Sequence, residues 1–444
     1  MSKIGNKDLI YQIESALCFD TFIPHNSASD FILGLEKVKN KIDALLKNRK
    51  AKQAVSSYEI FLSGCYEKAE EIDDSGGELG MFFEELFCSW IDTRQKAKCD
   101  SQETINQVLR WMKNDEYGFC YNIEKSIVKI FYGKELRIFE SIIKSHFDDA
   151  YRRESPGKDK RIYNYSYSVR ENTNILKTIY IEKKDIKSYL SLCEKVGVTP
   201  KDCEVIALLY KSIDNFQEAL KWVNKGLKLE EKDNWQDESS YALEGIKREL
   251  SSLLGNNDYA VESAWSDFKK HPSEYSYDEL MKYVEKKDIN SWHNKAIEEA
   301  KKVPLDSTIE LFIKTGELGV LIDRILAVKP EELENISHYI MEEAAQVLLN
   351  RNPMAAAKIY RAMGMRILNS GKSKYYNIAL EHFLKVKTIY TKNNSEGEWL
   401  SIIKYIRENY SRKYSFIPYF EKLVLGKYPP PRESFIKRAR KKWD

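Results

Sequence analysis

None of the seven cysteines, Cys18, Cys65, Cys88, Cys99, Cys120, Cys193 and Cys203, forms a C-x-x-C pair. Their odd number and wide spacing argue against both a disulfide framework and a zinc finger, and point to reduced thiols in a cytoplasmic protein. Glycine, at 19, and proline, at 11, are sparse in 444 residues, which sets aside collagen-like and low-complexity chains. No apolar run approaches the roughly 18 residues that span a bilayer. Met1–Ile10 carries Lys and Asp without an apolar stretch, so neither secretion nor membrane insertion is expected. An excess of one charge is missing as well: 71 basic and 68 acidic residues leave +3, so any affinity for nucleic acid must be local.

What is present is helical. Hydrophobic residues make up 43% and charged residues 31% of the chain, and no segment alternates apolar and polar residues as a half-buried strand would. Phe31, Leu33, Leu35, Val38, Ile42 and Leu45 recur at helical intervals, as do Tyr58, Phe61, Cys65 and Ala69, predicting an antiparallel pair. Asp73-Asp74-Ser75-Gly76-Gly77 reads as a turn, after which a helix restarts through Met81, Phe82, Leu86 and Trp90. Tyr, at 28, is plentiful and suits packing between helices with its hydroxyl in water.

The polar stretch Arg152–Arg161 contains Pro156 and Gly157 and no apolar anchor, and a linker is expected at 154–163. It would separate an N-terminal helical region, 1–153, from helical repeats at 164–426 and a basic, Pro-containing tail at 427–444. Thr199-Pro200-Lys201-Asp202 has the composition of a capped helix start. After it, Tyr210, Phe216, Ala219 and Gly226 fall in the register of a tetratricopeptide-like (TPR-like) hairpin. Ala219 and Gly226 share a face where larger side chains would hold two helices apart. Weaker units place Gly255 in a turn, Ala260 on the next helix, and Ala379 with Phe383 further on. Helices are also expected over Tyr283–Val303 and Ser307–Val328. The fold class is all-α: a right-handed α-solenoid of TPR-like helical hairpins with an N-terminal helical region.

The turn Ile72–Gly80, the segment Tyr117-Gly118-Phe119, the Phe216–Gly226 repeat, the Asn377–Tyr390 helix and the stretch Tyr410–Phe416 together resemble a bacterial family. In that family a degenerate helical-repeat region of unknown function often follows a SWIM-type zinc finger. The resemblance covers most of residues 8–424 and implies a fold rather than an activity. The finger's C-x-C and C-x-H motifs are absent here, so a nucleic-acid contact made through that finger does not carry over.

Chemistry is hard to find along the chain. The six histidines are scattered without H-E-x-x-H, and no phosphate-binding glycine motif occurs. His146 with Asp149 is the nearest approach to a metal-ligand pair. Cys18 with His25 is the nearest approach to a nucleophile and base, and that segment reads as an interhelix connection. No catalytic residue, cofactor or metal is expected, and the chain is read as a non-enzymatic scaffold that binds a partner protein in a groove along residues 164–424. The alternative is a nucleic-acid-associated accessory subunit, of a bacterial defence or processing complex for example. Its contacts would come from the tail, where Arg432, Lys437, Arg438, Arg440, Lys441, Lys442 and Trp443 can neutralise phosphates and stack on a base. The same tail also suits an acidic protein partner, or solubility alone.

Overall fold

In the computed structural model the described residues are 4–19, 21–154, 162–233 and 239–428. They fold into 23 α-helices and four short 3-10 segments. Their only strand-like feature is one isolated parallel bridge, between Ile23 and Ile72, where two interhelix connections meet. The all-α class is what the unbroken helical periodicity requires. Two compact units divide the chain, Met1–Leu250 and Ser251–Asp444, each with its own buried core. Inside each unit, helices adjacent in sequence pack on one another, as in TPR-like hairpins.

The stretch expected as a linker falls inside the first unit. Its residues 155–161 lie outside the described ones, but the helices before and after them, Lys134–Arg153 and Tyr167–Glu182, are packed together. Tyr151 stacks on Tyr165, with ring centroids 5.8 Å apart. A polar Pro-Gly segment marks a surface loop as readily as a boundary between domains, and composition does not separate the two.

In helix His25–Lys47 the buried stripe is Ala28, Ile32, Leu35, Val38 and Ile42. Leu33, expected on that stripe, is exposed, as is Met81 in helix Glu78–Lys96. Each lies one position off the line set by spacings of three and four, so a hydrophobic residue there faces solvent. The Asp73–Gly77 turn forms as expected. Gly77 takes a positive φ of 77°, and the Asp74 carboxylate accepts the backbone N–H groups of Leu79 at 2.7 Å and Gly80 at 3.1 Å, closing the open end of the next helix.

The Thr199 start is a reciprocal capping box: Asp202 N–H donates to Thr199 Oγ1 at 3.1 Å and Thr199 N–H to Asp202 Oδ2 at 3.0 Å. The helix it opens, Pro200–Lys211, pairs with Phe216–Asp233. A Cβ built on Gly226 would stand 2.8 Å from both Cys203 Cβ and Leu243 Cδ1. Ala219 is fully buried on the same helix, with Tyr210 and Phe216 packed at the edge of that small core.

In the second unit the expected helix Tyr283–Val303 begins only at Ile289, because Tyr283 closes the preceding helix, Glu274–Tyr283. The expected helix Ser307–Val328 is two, Ile309–Thr315 and Leu318–Ala327. Gly316 adopts a left-handed φ of 78° between them and ends the first as a C-terminal glycine does. Ala260, Ala379 and Phe383 are buried, whereas Gly255 serves its turn through a φ of 85° with open space around it. Phe383 also explains Gly364, since a Cβ there would meet its ring at 2.9 Å.

A further device recurs in this unit. The guanidinium of Arg324 donates to the carbonyls of Ala300 and Val303, at 3.2 and 2.5 Å, at and just past the end of helix Ile289–Ala300. Lys358 Nζ donates to Leu326 O at 2.8 Å and Val328 O at 2.5 Å, at the end of Leu318–Ala327. Lys387 Nζ reaches Leu423 O and Val424 O, at 2.8 and 3.0 Å, at the end of Ile417–Val424. Each cation satisfies terminal carbonyls that have no partner inside their own helix and meets the negative end of its dipole.

Candidate functional site

Helices Ser101–Lys113, Lys134–Arg153 and Tyr167–Glu182, all in the first unit, wall an open trough of about 1260 Å³. A second trough, of about 1060 Å³, extends to the turn at 118–122 and to Thr199–Asp202. The two share Met112, Asp115, Tyr167, Glu171 and Ile175 and so form one groove. A binding groove was expected along residues 164–424; the walls of this one come from residues 100–202.

Local hydrogen bonding sets the groove's rim. The Asp115 carboxylate accepts backbone N–H groups from Tyr117 at 3.2 Å, Gly118 at 3.0 Å and Cys120 at 2.6 Å. With Gly118 and Asn122 both at positive φ, this tight turn leaves Tyr121 80% exposed. Across the groove, Ser166 caps helix Tyr167–Glu182 and puts Tyr167 in its first turn, 69% exposed, with Tyr163 nearby at 59%. The Tyr167 hydroxyl donates to Glu171 at 3.3 Å. Burial raises the Glu171 carboxyl above the usual carboxylate range despite that bond, and likewise raises Glu124. Arg170 also lines the groove, and its Nε is buried without an acceptor among the described residues.

At the far wall Asp202 joins three elements. Besides its cap it accepts the Tyr189 hydroxyl at 2.7 Å and pairs with Lys177 at 2.6 Å. Burial alone would raise its pKa, but Lys177 and these hydrogen bonds hold it below the ordinary value. Cys193 and Cys203 lie close by, their thiols pushed up to about 12 by burial, which leaves them poor nucleophiles.

The structure also brings together a constellation that sequence reading missed. The Tyr277 hydroxyl lies 2.8 Å from His293 Nδ1, and His293 Nε2 lies 3.1 Å from Glu317 Oε1. The order hydroxyl, imidazole, carboxylate has the form of an activated nucleophile. The electrostatics run the other way, since burial and the nearby Asp278 and Glu317 raise the Tyr277 pKa. The three residues come from separate helices and a helix start, and no short spacing announces them. Of the pairs noted in the sequence, Cys18 is exposed and His25 opens helix His25–Lys47. His146 and Asp149 both line the groove, but among the described residues no group of three or more His, Cys, Asp or Glu side chains could hold a metal ion. No helix among those residues is long and apolar enough to cross a membrane. The tail contacts proposed from Arg432 to Trp443 lie outside the described residues.

Residues 13–418 match the model of DUF6880, a family of unknown function. The chain belongs to this family. The match agrees with the expected family resemblance in being to a family of unknown function. No curated protein matches this DUF6880 member. Among solved structures it is similar to a chain of a Naa15/Naa10 complex bound to HypK-THB, at 10% identity and a TM-score of 0.34. That likeness covers 84% of this chain and 63% of the other, so the DUF6880 chain spans under two thirds of it. A chain of the APC/C hetero-tetramer Cut9-Hcn1 matches at 11% identity and a TM-score of 0.20, covering 86% and 87% of the two chains. A circular tandem repeat protein matches at 11% and 0.19, covering 96% and 98%. Such low scores attach no activity or partner to this chain.

Proposed function

We propose that this DUF6880 member is a non-catalytic cytoplasmic adaptor that holds a segment of a partner protein in the groove of its first unit. The observation that carries the reading is a long open groove rimmed by exposed tyrosines. Each trough exceeds the roughly 300–1,000 Å³ of an enclosed small-molecule site. Exposed Tyr121, Tyr163 and Tyr167 offer broad amphipathic rings that lose little rotamer entropy on contact, the kind of side chain that dominates protein interfaces. The rim is held by capping carboxylates in the unbound chain, so little ordering cost falls on binding.

The test is affinity capture from cells that express the chain natively, using the wild type and a Tyr121→Ala/Tyr167→Ala variant, each with and without nuclease. Both tyrosines are exposed, so the variant keeps its fold. The reading requires a stoichiometric protein that the wild type retains after nuclease and the variant loses. Retention by both chains equally would remove the groove as the docking site. Loss under nuclease would favour the accessory-subunit alternative acting through residues 427–444.

A further inference from the structure

Formal charge in the groove is nearly balanced, but the two signs are not equally available. Five of its carboxylates are engaged inside the protein. Asp100 caps its helix through Glu103 N–H at 2.8 Å, Glu103 pairs with Arg94 at 2.9 Å, and Asp149 pairs with Arg152. Asp115 and Asp202 are held by the turn and the cap described above. Of the remaining two, Glu171 accepts the Tyr167 hydroxyl at 3.3 Å, and burial raises the pKa of both Glu171 and Glu124.

The cations divide differently. Lys177 and Lys201 are paired, with Asp202 at 2.6 Å and Glu204 at 2.8 Å. Lys113 and Arg153, both exposed, and Arg170 meet no carboxylate within ion-pair distance among the described residues. Arg170 Nε is in addition buried with no acceptor among the described residues, an unfavourable state for a donor. The lining also includes the apolar residues Met112, Ile175 and Ile181, of which Ile181 is exposed.

Resting on the adaptor reading, we infer that the groove selects an acidic peptide segment in which Asp or Glu alternates with apolar residues, its carboxylates meeting Lys113, Arg153 and Arg170. A carboxylate can pair bidentately with a guanidinium, and apolar side chains of the segment meet the apolar part of the lining. A nucleic acid fits less well. Its phosphates come at every residue, and they would pass carboxylates that keep their charge although they are paired.

Random dodecapeptides displayed on phage would be selected on the full chain, at low and high salt, and on the Tyr121→Ala/Tyr167→Ala variant as the groove-deficient control. Peptides that need both tyrosines should be acidic and apolar, should weaken with salt, and should resist competition by a single-stranded oligonucleotide. Lys113→Glu/Arg153→Glu, at two exposed sites, should weaken such a peptide by about tenfold or more and turn fresh selections toward basic sequences. Arg170→Gln should weaken it too, with its circular dichroism and melting curve checked against wild type. Tyrosine-dependent peptides that are basic or uncharged, or that ignore the charge reversal, would overturn the acidic specificity and leave the adaptor groove standing. Efficient competition by the oligonucleotide would favour a nucleic acid instead. An absence of tyrosine-dependent peptides would remove the groove itself.

Discussion

His382 stands 3% exposed on helix Tyr376–Lys392 with neither ring nitrogen hydrogen-bonded among the described residues. Its ring lies 5.9 Å from those of Tyr360 and His338. Burial, helped by the Lys385 cation and opposed by Glu342, pushes its pKa down to about 4. An unfolded histidine titrates near 6.5, so between these values the unfolded chain binds the proton more readily than the folded one. His382 therefore leaves stability intact above about pH 6.5 and removes it progressively as the pH falls toward 4, by on the order of 3 kcal/mol when the titration is complete. His382→Phe keeps a ring against Tyr360 and abolishes that dependence. Urea unfolding of both chains at neutral and mildly acidic pH checks it: the stability gap between variant and wild type should widen in acid, and a constant gap would refute the assignment. Helical periodicity could place His382 on a helix but not its ring between two others, because nothing adjacent in sequence records that neighbourhood.

Element by element, legibility in the sequence followed the range of the interaction. The Thr199–Asp202 cap and the Asp73–Gly77 turn close within a few residues and were readable. The Gly316 break was missed because an apolar pattern runs across it, and a glycine's φ is not written in periodicity. Gly226 stands at a close approach between helices, and its prediction follows from comparison with Gly245. At Gly226 an added methyl meets Cys203 and Leu243, while at Gly245, in helix Ser239–Leu253, it meets nothing within 4 Å. Gly226→Ala should destabilise by about 1–3 kcal/mol, overpacking outweighing better helix propensity. Gly245→Ala should stabilise by up to about 1 kcal/mol. Denaturation followed by circular dichroism measures both signs. The Asp202 junction invites a second comparison. Asp202→Ala strands Lys177, whose side chain is only 14% exposed, and should cost about 3–5 kcal/mol. Lys177→Met leaves Asp202 its cap and the Tyr189 hydroxyl and should cost distinctly less in the same assay.

For the molecule as a whole, separate cores in Met1–Leu250 and Ser251–Asp444 mean that damage should stay local. Hydrogen exchange read by mass spectrometry on Asp202→Ala should show faster exchange in peptides of the first unit, with peptides from 309–406 unchanged; acceleration throughout would mean that the cores melt as one. The all-α class was legible because every segment repeats the same period. The candidate groove was not, since its walls join residues 100 to 202 across a stretch that reads as a boundary, and its available charge depends on which carboxylates the fold engages. The cations that close helix ends in the second unit carry a consequence for how such chains diverge. Arg324, Lys358 and Lys387 hold backbone carbonyls, and every residue type carries a carbonyl. The exposed position 326 can therefore drift through substitution after substitution while the clamp persists, provided a long cation remains opposite. An architecture fastened in this way can outlast the visible kinship of its repeats.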